Sequence, residues 1–310
     1  MRLHVREDEI EAVPLITYSI SDFAFLSCGQ TISPGDKETI MTAGAQTPRP
    51  QNIALSGHSM HFWHGGTGPG LLLLHAAWGD AEMSWSSVWN QLSTTFMVIA
   101  PDLPGFGQSP GLPRPSLSAM ANLLQKLLNA LNVNRVITVG NSFGAAVAIQ
   151  FAGDFSNTVS RLVLVNGGYV PPIPGFIRKL VALPLLNQGF RMLIRQLSFS
   201  SHALKRSFAD APKLPPGFLK RIRQHALAYS KVAFDTIMNS TGVLAKPAVH
   251  TLLLWGAQDG LMPLKQARAL QHSIPGAELV SIEGAGHMPQ IERPEEFVAS
   301  IMRLRQRITG

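Results

Sequence analysis

One cysteine, Cys28, stands in 310 residues. A lone thiol excludes an internal disulfide and any metal centre built on paired thiolates; it fits a reducing compartment, so a cytoplasmic location is expected. Long apolar runs are also missing. Stretches such as Leu71–Leu74 fall far short of the roughly 18 residues that cross a bilayer, and no transmembrane helix is expected. Four acids lie among residues 7–11 (Glu7, Asp8, Glu9, Glu11), and no long apolar stretch follows the basic start, so no secretory signal is expected. Charged residues are scarce at 15% and hydrophobic ones plentiful at 45%, which excludes a chain disordered throughout and supplies a large core.

The formal net charge of +7 is unevenly spread: residues 1–50 carry −3, residues 171–245 carry +9 and the remainder +1. The basic segment offers no clear interleaving of aromatics with cations and no nucleic-acid-binding motif, so a nucleic-acid partner is not expected.

Residues 1–50 show mixed polarity and end in a Thr/Gly/Pro-rich stretch from Thr42 to Pro50, which reads as an extension and linker. From Gln51 onward short apolar runs recur, at 71–74, 96–100, 136–139, 162–165, 251–255 and 278–282. Continuous rather than alternating apolar runs are what a sheet covered on both faces requires. Helix signals lie between them. Ser116 precedes an apolar stripe at helical spacing (Leu117, Met120, Leu124, Leu127, Leu128, Leu131), and Pro294, Glu295 and Glu296 open a segment with Phe297, Ile301 and Leu304 on one face. The alternation predicts an α/β fold, with a mainly parallel central sheet and helices on both faces. It breaks once, at residues 171–245, whose proline-rich joints surround helical stretches. The predicted organisation is therefore an extension (1–50), a core (51–170 and 246–310) and a helical cap inserted over one end of the sheet (171–245).

Gly140-Asn141-Ser142-Phe143-Gly144 follows the strand VITV and precedes AAVAIQFA, which reads as a helix. A G-x-S-x-G turn between strand and helix is tight enough to need near-absent flanking side chains, and it lifts the serine hydroxyl clear of the backbone. That hydroxyl is a weak nucleophile unless a base removes its proton and an acid orients the base. Both follow in the order Ser, Asp, His. Asp259 lies a few residues past the strand TLLLW, and His287 lies in Gly-Ala-Gly-His287-Met-Pro after the strand ELVSI. The end of the strand LVLV carries Asn166-Gly167-Gly168, so an alternative acid position there is empty.

With these residues in place, the chain resembles the α/β-hydrolase superfamily over roughly residues 51 to 310, and Asp102-Leu-Pro-Gly-Phe-Gly-Gln-Ser109 is similar to its D-x-P-G-x-G-x-S loop. The elbow is similar to that of carboxylesterases and of hydrolases of ring meta-cleavage products. The resemblance implies a serine hydrolase with catalytic Ser142, Asp259 and His287, working without metal or organic cofactor, with a cap that shapes substrate choice. It further implies an oxyanion hole from two backbone amides, that of Phe143 and one from the loop after the strand ending at His75, where Ala77 is the expected donor. Most relatives carry glycine where this chain has Ala76, and an alanine forced to positive φ would be strained.

Two other patterns read differently. Gly65–Gly70 looks like a phosphate loop but precedes its strand, so it is expected to be a hairpin or entry turn. His58, His61 and His64 are spaced by three, which on a strand turns His61 away from the other two and argues against a metal site. Asn239-Ser-Thr241 matches a glycosylation acceptor, of little meaning without a secretory signal. The cap's apolar faces (Phe176, Ile177, Leu180, Val181, Leu185, Leu186, Phe190, Leu193, Ile194, Leu197) are bordered by Arg178, Lys179, Arg191 and Arg195. Such faces would suit a solvated surface, the cover of an acyl pocket, the attraction of an anionic substrate, or peripheral contact with an acidic membrane; the sequence leaves these open.

The expectation is therefore a small-molecule carboxylic ester hydrolase using a Ser-Asp-His triad and an acyl-enzyme. Its alternatives are a carbon–carbon bond hydrolase of meta-cleavage products, against which stands Met288 where those relatives commonly carry tryptophan, and a non-catalytic binding protein of the same fold.

Overall fold

The computed structural model describes residues 47–306, except 56, 169–173, 182, 211–213 and 241–246. Cys28 and the extension through residue 46 lie outside the described residues. Eight strands run β1 (Arg49–Leu55), β2 (His58–Gly65), β3 (Gly70–Leu74), β4 (Met97–Pro101), β5 (Val136–Asn141), β6 (Val159–Val165), β7 (Thr251–Gly256) and β8 (Glu278–Ile282). The helices are α1 (Ala81–Trp85), α2 (Trp89–Leu92), α3 (Leu117–Ala130), α4 (Phe143–Asp154), α5 (Gly175–Val181), α6 (Pro184–Phe199), α7 (Ser201–Ser207), α8 (Phe218–Asn239), α9 (Leu264–Ser273), α10 (Pro289–Glu292) and α11 (Pro294–Gln306).

The strands form one sheet in the order β1-β2-β4-β3-β5-β6-β7-β8. The six apolar runs of the sequence are the six parallel strands β3 to β8, while β1 and β2 pair antiparallel with each other and β2 pairs antiparallel with β4. The core strand β1 begins at Arg49, two residues before the boundary read from the sequence.

Alternation explains why β3 is apolar throughout. Leu72 and Leu74 enter the cluster formed with α3 and α4, while Leu71 and Leu73 point through the other face to Trp85, Leu92 and the α11 residues Phe297 and Ile301. Ser116 caps α3 by accepting the Ala119 N–H at 3.1 Å, a bond worth about 1 kcal/mol in such positions. Gly65–Gly70 proves to be an entry turn: β2 pairs with β4 rather than β3, and Gly66 and Gly68 hold positive φ where a Cβ would strike the Phe96 and Thr95 carbonyls.

Strand order places the site. The chain leaves β3 for β4 on one side, then crosses back to β5 on the other, so a crevice opens beyond the carboxyl ends of β3 and β5. The helices between β6 and β7 lie over this end. The buried residues Phe199, Leu204, Phe208, Phe218, Ile222 and Ala226 of this segment form a third cluster with Ala76 and Trp78 of the loop after β3 and with Met288 and Ile291 after His287. Tyr229 of α8 reaches the sheet side as well, where its hydroxyl oxygen accepts the Gly107 N–H at 3.1 Å. No helix among the described residues is long and apolar enough to cross a membrane.

Candidate active site

β5 ends at Asn141 and α4 begins at Phe143, leaving Ser142 alone at the corner with φ 54° and ψ −111°. A serine in this region stores strain of about 1–3 kcal/mol, sustained by the packing around it. The flanking glycines are required by close approach. A Cβ on Gly140 would strike the Gly144 carbonyl, and one on Gly144 would strike the carbonyls of Leu74 and His75. The start of α4 is thus pressed against the end of β3. From the other side, a Cβ on Gly167 would lie 2.5 Å from Ser142 Cα, so the second residue after β6 also closes on the elbow.

Ser142 Oγ lies 2.8 Å from His287 Nε2, and His287 Nδ1 lies 2.7 Å from Asp259 Oδ2. The carboxylate accepts only, so Nδ1 carries the proton, Nε2 is bare, and the serine hydroxyl donates to it. The sequence-predicted Ser142, Asp259 and His287 are therefore brought together from three separate loops. Asp259 and His287 are buried, Ser142 half-buried.

Each loop is held by bonds the motifs do not report. Asp259 Oδ1 accepts the N–H groups of Leu261 (2.8 Å) and Met262 (3.0 Å), and the Trp255 indole donates to the Met262 carbonyl at 2.7 Å. Asn166, at φ 44°, donates to Asp259 Oδ2 (2.7 Å) and accepts the Gly256 N–H (3.0 Å). The position without a carboxylate at the end of β6 thus carries a donor to the carboxylate that is present. Asn141 Nδ2 donates to the carbonyls of Val165 (3.0 Å) and His287 (3.2 Å), and Gln290 donates to Asn141 Oδ1 (3.2 Å).

Glu292 was not signalled by any sequence pattern, because its partners are backbone amides distant in the chain. Its carboxyl accepts the N–H of Gly286 (2.8 Å) through one oxygen and that of Ala209 (2.7 Å) through the other. Burial pushes its pKa up, against the lowering effect of those amides. The N–H of His287 donates to the Ser207 carbonyl at 2.7 Å, so the end of α7 and the residues just after it are tied to the histidine loop twice.

The loop His75–Gly79 departs from the strained geometry that alanine raised as a concern. Among the described residues only Asn132, Ser142 and Asn166 are non-glycine with positive φ, so Ala76 and Ala77 sit in ordinary backbone. His75 fixes the loop: Nδ1 donates to the Ala76 carbonyl (2.8 Å) and Nε2 accepts the Leu103 N–H (2.9 Å), which requires a neutral ring. Burial lowers the pKa of His75, outweighing the raising effects of Asp102 and the Ala76 carbonyl. Ala77 packs against the cluster that contains Phe143, and Phe143, first in its helix, has an N–H with no intrahelical acceptor. Trp78 lies with its ring centroid 4.7 Å from that of His287.

His61 does turn away from His58 and His64, into a buried contact with Asp102 (Nδ1 to Oδ2, 2.9 Å). Asp102 also accepts the N–H groups of Ala81 and Gln108, both at 2.9 Å. Burial would raise this carboxyl, but the His61 and amide bonds and the field of His75 leave it below the usual range. The loop 102–109 is therefore a structural knot beside the site. No group of three or more His, Cys, Asp or Glu among the described residues could hold a metal ion.

A family model for the alpha/beta hydrolase family matches residues 71–300. An uncharacterised Mycobacterium tuberculosis protein is 29% identical, over 83% of this chain and 81% of its own. The 2-hydroxy-6-oxo-2,4-heptadienoate hydrolase of Pseudomonas putida is 30% identical, over 75% of this chain and 84% of its own. Among solved structures, a putative lipase from Acinetobacter baumannii superposes with a TM-score of 0.68 at 22% identity, over 87% of this chain and 98% of that one, a likeness of fold.

Proposed function

Given that this chain belongs to the alpha/beta hydrolase family, we propose that it is a serine hydrolase of carboxylic esters working through an acyl-enzyme. The observation that carries the reading is the unbroken hydrogen-bonded chain from Ser142 Oγ through His287 to Asp259. His287 Nε2 takes the serine proton as Oγ attacks the ester carbonyl carbon, and Asp259 holds the imidazole tautomer and stabilises the imidazolium. The amides of Phe143 and Ala77 receive the oxyanion. Collapse of the tetrahedral intermediate passes the proton from Nε2 to the leaving alcohol; water, deprotonated by the same nitrogen, then releases the acid and restores Ser142.

Residues 171–245 act as the cap, a role supported by the cluster they form over the loops of Trp78 and His287. A cytoplasmic location belongs to the same proposal and is supported by the single cysteine.

A second reading, hydrolysis of a carbon–carbon bond in a ring meta-cleavage product, is favoured by the Pseudomonas putida relative. The same serine would then attack a ketone carbonyl and expel carbon rather than alkoxide. A non-catalytic binding role is opposed by the assembled triad.

Release of p-nitrophenol from esters running from acetate to palmitate, on wild type beside Ser142→Ala, tests the reading. Serine-dependent release with a chain-length preference is expected. Inertness of the folded protein towards every ester, with turnover of a meta-cleavage product, would transfer the assignment to the second reading.

A further inference from the structure

Amphipathic helices of water-soluble proteins bury their apolar side and expose their polar side. Part of α6 departs from this. Arg191 turns inward and its guanidinium meets Asp235 of α8 at 2.6 Å, while Leu185, Met192 and Leu193 face outward. Leu185 is 85% exposed and Met192 64%. The spacing from Leu185 to Met192, and from Leu186 to Leu193, is two helical turns, so these four exposed residues form one stripe. On α5, which packs against α6, Phe176 is 71% exposed, and Leu180 one turn on and Leu183 after it continue the apolar surface.

Charge identifies what this surface fits. Between residues 175 and 207 the sequence carries six basic residues (Arg178, Lys179, Arg191, Arg195, Lys205, Arg206) and no acidic one. Lys179 and Arg195 are exposed beside the protruding apolar residues. A second copy of the same face would oppose cation to cation. A nucleic acid would supply negative charge but nothing for the leucines to enter. A bilayer of anionic lipids supplies both, phosphates at the level of the cations and hydrocarbon for the side chains between them. We infer that α5 and α6 form a docking surface for an anionic membrane. The surface holds no proposed catalytic residue and is independent of the proposed reaction, although docking here would bring the crevice end of the molecule to the lipid.

The test is sedimentation of the full chain with vesicles of phosphatidylglycerol and phosphatidylcholine, against vesicles of phosphatidylcholine alone. At least tenfold stronger binding to the anionic vesicles is expected, weakening as salt rises. Each cation at such a surface is worth about fivefold in affinity, so Lys179→Gln with Arg195→Gln should weaken binding about 25-fold. Leu185→Ser with Met192→Ser should weaken it tenfold or more, with an unchanged melting temperature because both side chains lie outside the core. Leu185→Trp, a milder change, should gain a blue-shifted emission component on anionic vesicles relative to wild type. Absence of binding, equal binding to both vesicle types, binding that survives the serine pair, or an unshifted Leu185→Trp emission would each overturn the inference. So would a dimer in light scattering that Leu185→Ser with Met192→Ser dissolves, since a second copy would then own the face.

Discussion

Asn166 Nδ2 donates to Asp259 Oδ2 at 2.7 Å, the oxygen that also receives the His287 Nδ1 proton at 2.7 Å. With two backbone amides on Oδ1, four donors converge on one buried carboxylate. The donors fix the plane of the carboxyl group, and the imidazole tautomer follows from it. Asn166 also holds the Gly256 N–H, so one side chain ties the end of β6 to the loop that presents the acid.

Asn166→Asp should lower kcat at least tenfold, with a loss that deepens towards acid. Two carboxylates in contact cannot both ionise, and a shared proton removes the charge that His287 needs opposite it. Aspartate tolerates the φ of 44° as asparagine does, so the variant should fold. A kcat against pH profile on wild type and variant reads the effect; superimposable profiles would dismiss the positioning role.

Ser142→Ala should reduce ester turnover by about four to six orders of magnitude, and Asp259→Asn by about four, the latter through the wrong imidazole tautomer. Melting temperatures separate chemistry from folding. Ser142→Ala should melt close to wild type because, among the described residues, the hydroxyl makes one polar contact, to His287. Residual activity within a few-fold of wild type in either variant would place the nucleophile or the acid elsewhere.

Gly167→Ala should lower kcat tenfold or more with little change in KM. Its Cβ would fall 2.5 Å from Ser142 Cα, and backbone is what must yield, so Oγ would shift relative to His287. Displacements of about 1 Å cost on the order of a hundredfold in well-aligned sites. Gly189→Ala, on an exposed helix with open space around its Cα, is the matched control and should leave turnover unchanged.

His75 makes stability depend on pH. Its folded pKa lies below the ordinary value, so between that lowered pKa and about 6.5 the unfolded chain binds a proton that the folded chain refuses. Stability contributed here is full above about pH 6.5 and declines as pH falls through this window. Urea unfolding across the window should show the decline in wild type and a shallower slope in His75→Gln, whose overall stability should be lower by about 1–3 kcal/mol from the altered buried bonds. An equal slope in the two proteins would assign the dependence to another group.

Much of the site was legible because its parts obey local rules. G-x-S-x-G between an apolar run and a helix is a backbone requirement, and Gly140 and Gly144 meet carbonyls as that requirement demands. Ser116 and Pro294 likewise mark helix starts by chemistry confined to a single turn. Asn166 was visible only as a missing acid, and its function as a donor needed the register of β6 beside β7. Glu292 was silent, since a carboxylate that bonds amides 83 and 6 residues away has no pattern to display. Strands β1 and β2 escaped because their polar and apolar residues mix, as antiparallel edge pairing allows.

The sequence by itself determined the α/β alternation and the elbow turn and singled out Ser142, Asp259 and His287 as candidates, because periodicity and turn chemistry are written within a few residues. Only the tertiary structure decided the rest: that Asp259 shares its oxygen with Asn166, that Glu292 ties the residues after α7 to the histidine loop, and that α6 shows Leu185, Leu186 and Leu193 to solvent. Each of these depends on which surface meets which across tens of residues, and a helix's apolar stripe carries no record of whether it faces a core or the outside.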